Sequence, residues 1–153
     1  MTNQIHNKNI ETETVITSPI ELRQQISVSK QGKENILSSR NTVEDIFLGN
    51  DDRLIVIVGP CSIHDINAAK EYALKLLTLQ REVEKSIFII MRVYFEKPRT
   101  TVGWKGLISD PDMDNSLDVE KGLRQGRELL AWLAEKNIPT GTEALNPITP
   151  QYL

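Results

Sequence analysis

The sequence predicts an α/β fold built on a parallel β-sheet, and three observations carry that prediction. Two short aliphatic runs, Leu54-Ile-Val-Ile-Val58 and Ile87-Phe-Ile-Ile-Met91, show no polar alternation, the pattern of strands covered on both faces. Stretches with apolar residues at helical spacing separate and follow these runs. Gly, Pro and Asn punctuate the junctions. The resulting order, β-α-β-loop-α-β-(α), belongs to sheets with right-handed crossovers, either doubly wound or a (β/α)8 barrel. In both, ligands bind beyond the carboxyl ends of the strands.

Composition narrows the class. The 153 residues are 39% hydrophobic and 25% charged, which fits one globular domain. Lys and Arg total 18 against 21 Asp and Glu, a mixture that argues against a nucleic-acid coat or a membrane surface. No apolar run approaches the roughly 20 residues of a membrane helix. Met1 to Thr17 is rich in Thr, Asn and Glu and lacks an apolar signal-like core, so a cytoplasmic protein is expected. The single cysteine, Cys61, excludes an internal disulfide framework.

Element by element, Met1 to about Thr17 reads as a polar segment, mobile alone and able to order on a partner subunit. Ser18 to Gln25 is a short arm, helical or extended. Gln31 to Leu48 is a helix in which Ile36, Val43 and Phe47 form a stripe widened by Ile46. Gly49 stops it, and Gly32 and Ser38/Ser39 weaken its start. Asn50 to Asp52 turns into the first strand, which Gly59-Pro60 ends. Asp65 caps a helix from Ile66 to about Glu84, with Ile66, Ala69, Ala73, Leu76 and Val83 inward. The second strand continues through Arg92 and Val93. Tyr94 to Asn115 is a connection too long to be a plain turn. Asn115 or Ser116 then caps a third helix, with Val119, Leu123, Gly126, Leu130 and Leu133 on its buried face. Gly122 and Gly126 cost helix propensity and so signal close packing. Pro139 precedes a third strand from about Thr140 to Leu145, and Pro147 to Thr149 starts another helix.

The chemistry-bearing residues fall at the strand ends. Arg92, Lys97, Arg99 and Lys105 form a cationic cluster, with Glu96 the only acid among them. It reads either as a phosphate or carboxylate site or as a solvated, partly paired loop. Pro98 fixes the backbone between two cations, Thr100 adds a hydroxyl, and Gly103 and Gly106 permit close approach to a ligand. Cys61 is a candidate metal ligand or nucleophile, with an inert buried thiol as the alternative. His64, three residues on, is a candidate ligand or a turn residue; His6 lies in the tail. Glu143, at the end of the third strand, either orients water or forms an ion pair, with Arg92 a candidate partner. Asp110, Asp112 and Asp114 alternate like a calcium loop but lack its Gly and distal Glu.

Together, Gly59-Pro-Cys-Ser-Ile-His-Asp65, the run from Met91 to Leu107 and Ile148-Thr-Pro-Gln-Tyr-Leu153 resemble 3-deoxy-D-arabino-heptulosonate 7-phosphate (DAHP) synthase of the feedback-regulated microbial type. The resemblance covers about Asn41 to Leu153. It implies a (β/α)8 barrel with an N-terminal extension: residues 1–40 as an arm reaching toward another subunit of a homo-oligomer, and residues 41–153 as about the first three βα units. It implies a metal-dependent, aldol-like condensation of phosphoenolpyruvate with erythrose 4-phosphate, releasing phosphate, at the entry to the shikimate route to aromatic amino acids. Carried over by motif, Cys61 would be a ligand to a divalent metal of the manganese, iron or cobalt type. Arg92 and Lys97 would hold phosphoenolpyruvate, with Lys97 moving a proton. Pro98, Arg99 and Thr100 would meet erythrose 4-phosphate, and Glu143 would position phosphoenolpyruvate or water. Pro150 and Gln151 match the edge of an aromatic amino acid inhibitor pocket. The family's other metal ligands are absent, and a closed barrel needs about 250 residues. The sequence thus reads as the front of a longer chain whose 153 residues are expected to give no turnover alone; the alternative is an inactive fragment serving at most as a partner- or amino-acid-binding piece.

Overall fold

The computed structural model describes residues 13–99 and 101–153; the expectations for His6, Thr100 and the first twelve residues of the N-terminal arm fall outside them. Three parallel strands lie in the order β1-β2-β3: β1 (Leu54–Val58), β2 (Ile87–Arg92) and β3 (Thr140–Gly141). Leu54 pairs with Ile87 and Val58 with Met91, while Met91 and Arg92 pair with Thr140 and Gly141. Helices α3 (Ile66–Val83) and α4 (Val119–Glu135) form the connections. Ahead of the sheet come α1 (Pro19–Gln25) and α2 (Lys30–Leu48), and α5 (Thr149–Tyr152) follows it.

The core forms where β2 meets the helices. Along β2 and its continuation, Ile89, Met91, Val93 and Phe95 are buried with Ala69, Ala73 and Leu76 of α3 and Leu123, Leu129 and Leu133 of α4. Alternate residues of extended backbone share a face, so this row covers the helix side of the sheet. α3 starts as expected, with Asp65 accepting from the Asn67 and Ala68 N–H groups. The cap of α4 is Asp118, which accepts from Lys121 N–H, rather than Asn115 or Ser116. Those two residues belong to a tight turn in which Met113, Asn115 and Leu117 all take left-handed φ values, and the helix begins only after it. Gly122 makes the close contact expected of it: a Cβ there would strike the carbonyl oxygens of Ile108 and Leu107. Val119 is more exposed than its place in the stripe implied, and Leu129, outside that stripe, is fully buried.

The described part of the arm carries α1 and the start of α2 and contacts α4. Ser18 and Glu21 form a reciprocal capping box at α1. Two carboxylates of α4 then clasp the arm. Glu120 accepts from Thr17 N–H (2.7 Å) and its hydroxyl (2.6 Å), and Glu135 accepts from Ser29 N–H (2.8 Å) and its hydroxyl (2.7 Å). Gly32 in α2 lies close against Glu135 at the end of α4. A Cβ would lie 2.6 Å from Val28 Cγ1 and 2.7 Å from Glu135 Oε1. Gly49 closes α2 in the left-handed conformation.

Three expectations fail, on β1, α2 and β3. β1 was expected to be covered on both faces, yet Leu54 is 70% and Ile57 63% exposed, because α3 packs on β2 rather than on β1, which lies at the edge of the sheet. Phe47, on the apolar stripe of α2, is 80% exposed. Ile36 and Val43 of that stripe line a cavity of about 260 Å³ with Phe88 and Ile90, and Phe47 lies beyond it. β3 ends at Gly141 rather than Leu145, with Val93 N–H donating to Gly141 O at 2.9 Å where the pairing stops.

Candidate active site

The carboxyl ends of β1 and β2 bring the expected residues together. After β1, residues 59–62 fold against the segment leaving β2. Ile63 N–H donates to Tyr94 O at 2.8 Å and the Ser62 hydroxyl to the same oxygen at 3.3 Å. At Gly59 a Cβ would lie 2.7 Å from Arg92 O, so only glycine lets the two segments approach this closely. This places Cys61 beside residues that follow it by more than thirty positions.

Arg92 does not pair with Glu143. Its Nε donates to Pro60 O and its Nη2 to Gly59 O, both at 2.9 Å, and its guanidinium lies 5.2 Å from the centre of the Tyr94 ring. Neutral carbonyls and an aromatic face orient the guanidinium without cancelling its charge, so it stays available to an anion.

Lys97 reaches back to the β1 loop. Its Nζ lies 2.9 Å from Cys61 Sγ and 3.4 Å from Cys61 O. Cys61 is exposed, which removes the reading of an inert buried thiol. Its pKa is held below the ordinary thiol value, first by the Lys97 hydrogen bond and then by the Lys97 charge. Arg92 pulls in the same direction; slight burial and the Glu143 carboxylate oppose it. Glu143 therefore faces this cluster electrostatically, although it lies beyond the end of β3, exposed.

The rest of the loop is shaped by its backbone. Glu96 and Gly106 form an antiparallel bridge, and Lys97 N–H donates to Lys105 O at 3.0 Å. Gly106 has φ 104°, and a Cβ there would strike Phe95 O, so the return of the loop requires glycine. Arg99 N–H donates to Lys97 O at 2.7 Å across Pro98, leaving Pro98 and Arg99 at the surface. Lys105 is exposed.

The aspartate alternation resolves into three separate tasks. The buried Asp110 carboxylate accepts from Asn115 N–H, Asp112 pairs with Lys121 at 2.6 Å, and Asp114 accepts from Ser116 N–H. Pro150 and Gln151 sit exposed on α5, where Gln151 Nε2 donates to Pro147 O.

A thiophilic divalent cation fits Cys61 as one donor, soft and readily ionised. Among the described residues no three His, Cys, Asp or Glu side chains gather to enclose an ion, and His64 is exposed in the following turn. Sequence reasoning gave no role to Glu96, Asn146 and Thr149, which join the loop to α5. Asn146 Nδ2 donates to Glu96 Oε1 at 2.8 Å and to Thr149 Oγ1 at 2.7 Å. The Asn-Pro dipeptide before α5 was the available signal.

Comparison with known proteins follows the same lines. The model of the DAHP synthetase I family matches residues 19–153. Over 149 residues the chain is 50% identical to the Tyr-sensitive phospho-2-dehydro-3-deoxyheptonate aldolase of Escherichia coli (strain K12), covering 97% of this chain and 42% of that protein. Over 138 residues it is 50% identical to the phenylalanine-inhibited enzyme of the same name from Saccharomyces cerevisiae (strain ATCC 204508 / S288c), covering 90% of this chain and 37% of the relative. The solved structure of phospho-2-dehydro-3-deoxyheptonate aldolase from Francisella tularensis SCHU S4 superposes with a TM-score of 0.90 at 52% identity, over 95% of this chain and 42% of that one. The chain thus spans about two fifths of the length of these relatives.

Proposed function

Since the chain belongs to the DAHP synthetase I family, we propose that it carries the phosphoenolpyruvate-binding part of a (β/α)8 barrel that condenses phosphoenolpyruvate with erythrose 4-phosphate and releases phosphate. The single observation that supports this most is the meeting of Lys97, Cys61 and Arg92 at one edge of the sheet. Two phosphorylated substrates bring several negative charges into one site. An arginine held by neutral carbonyls and a lysine with no carboxylate partner among the described residues supply the opposing charge.

In this reading Arg92 and Lys97 hold the phosphate and carboxylate of phosphoenolpyruvate. Lys97 Nζ also moves the proton, since an ammonium within reach of substrate can serve as general acid. Pro98 and Arg99, both exposed, meet erythrose 4-phosphate together with Thr100. Glu143 positions phosphoenolpyruvate or a water. Cys61 would be one holder of a divalent metal, which when bound polarises the aldehyde of erythrose 4-phosphate. Pro150 and Gln151 form the edge of an aromatic amino acid pocket, by analogy with relatives named for sensitivity to such amino acids.

The test is a hybrid. Residues 19–153 of this chain replace the matching part of the Escherichia coli relative, and phosphate release is followed with both substrates. The hybrid is expected to turn over and its Lys97→Ala form to be inactive. An inactive but folded hybrid would overturn the reading. The 153-residue chain assayed alone is expected to give no turnover, because it brings one metal donor and three strands.

A further inference from the structure

We propose that Glu96 is the positioning residue that aims Lys97 into the site. The inference rests on the reading of Lys97 as the substrate-facing cation. Glu96 is the only acid among the loop cations, and a carboxylate one residue from Lys97 would be expected to neutralise it. It does not. Its Oε1 accepts from Asn146 Nδ2 at 2.8 Å and from the Thr149 hydroxyl at 3.3 Å, while Lys97 Nζ bonds to Cys61.

The geometry explains the division. Glu96 sits in a bridge with Gly106, and Lys97 N–H is bonded to Lys105 O, so the backbone here is paired like a strand. Adjacent side chains of a strand point to opposite sides. Fixing Glu96 on one side therefore aims Lys97 to the other. The anchor is itself stiff. Asn146 Oδ1 accepts from the N–H groups of Ile148 (2.9 Å) and Thr149 (2.8 Å) at the start of α5, and Thr149 is 7% exposed. Asn146 thus holds a helix start with its oxygen and Glu96 with its nitrogen. The carboxylate spends its hydrogen bonds on neutral groups and does not pair with Lys97, whose charge is left to Cys61 and an anionic ligand.

The test uses the chain itself. Cys61 is the only cysteine, so its alkylation by iodoacetamide at pH 7, followed by mass spectrometry after chelation, reports whether Lys97 is in place. Thermal melting confirms that each variant is folded. Lys97→Met sets the floor. Glu96→Ala is expected to slow alkylation by about threefold or more, toward that floor, because thiolate character tracks the neighbouring cation. Glu96→Gln keeps an oxygen acceptor for Asn146 and Thr149 and is expected to restore the unmutated rate. If Glu96→Ala fails to fold, Thr149→Val removes one bond of the anchor with little change of shape and is expected to slow alkylation in the same direction. An unchanged rate in a folded Glu96→Ala or Thr149→Val variant would overturn the proposal. So would a Glu96→Gln variant as slow as Glu96→Ala, or a Lys97→Met variant that is not slow. No turnover is measured, so failure here is distinct from failure of the synthase reading.

Discussion

Cys61 and Lys97 stand 36 positions apart, yet the lysine sets the character of the thiol. The sign of the effect fixes an outcome. A thiol with its folded pKa below the ordinary value ionises at lower pH than the same thiol in an unfolded chain. Alkylation rates measured against pH, after chelation, should therefore rise at lower pH for the native chain than for the chain in urea. A coincident pair of profiles would remove the Lys97 interaction. At this scale the sequence was informative about identity and silent about contact. Cys61, Arg92 and Lys97 could each be named as candidates from residue type and place in the chain. That Arg92 would turn to the carbonyls of Gly59 and Pro60 rather than to Glu143 depended on how closely residues 59–62 pack on β2, which no spacing encodes.

Among the elements, α2 and α4 meet where Gly32 leaves room, and α4 meets the loop where Gly122 does. Gly122→Ala should lower the melting temperature, with a cost of about 1–3 kcal/mol for forcing a methyl group into packed backbone. A variant that melts with the unmutated chain would show that the loop yields instead. The Glu135 clasp has a pH signature. Its carboxyl pKa is lowered by the Ser29 hydroxyl and N–H. The stabilisation is therefore complete above the unfolded carboxyl value and is lost as pH falls through the folded one. Hydrogen exchange at the Ser29 amide, corrected for intrinsic rate, should lose protection on acidification, whereas exchange at buried Met91 should not follow it. Helix positions were legible because apolar spacing and caps such as Asp65 are local signals. The start of α4 was missed because a left-handed turn through Met113, Asn115 and Leu117 delays it. Left-handed conformation at Met or Leu has no compositional signature.

Across the whole molecule, the sheet is apolar and open at its β1 edge. Leu54-Ile-Val-Ile-Val58 contains no charge, proline or glycine to discourage pairing with another edge. The purified chain should self-associate, and Ile57→Lys should reduce that association in light scattering without lowering the melting temperature, since Ile57 buries little. A variant equally prone to association would place the sticky surface elsewhere. The parallel sheet was legible from the two unalternated aliphatic runs. The exposure of β1 was not, because a hydrophobic run reports what a strand expects to touch rather than what is present.

The clasp between the arm and α4 also has a consequence in time. Thr17 waits for Glu120, Ser29 for Glu135, Ile26 for Arg127 and Asn35 for Ala134, separations of 103, 106, 101 and 99 residues. On a ribosome adding roughly 5–20 residues per second, these four residues emerge about 5–20 seconds before their partners on α4. During that interval β1 and β2 can pair and α3 can cover them, because their contacts are near in sequence. The stretch from Thr17 to Asn35 is therefore seated after β1, β2 and α3, closing over units made later than itself.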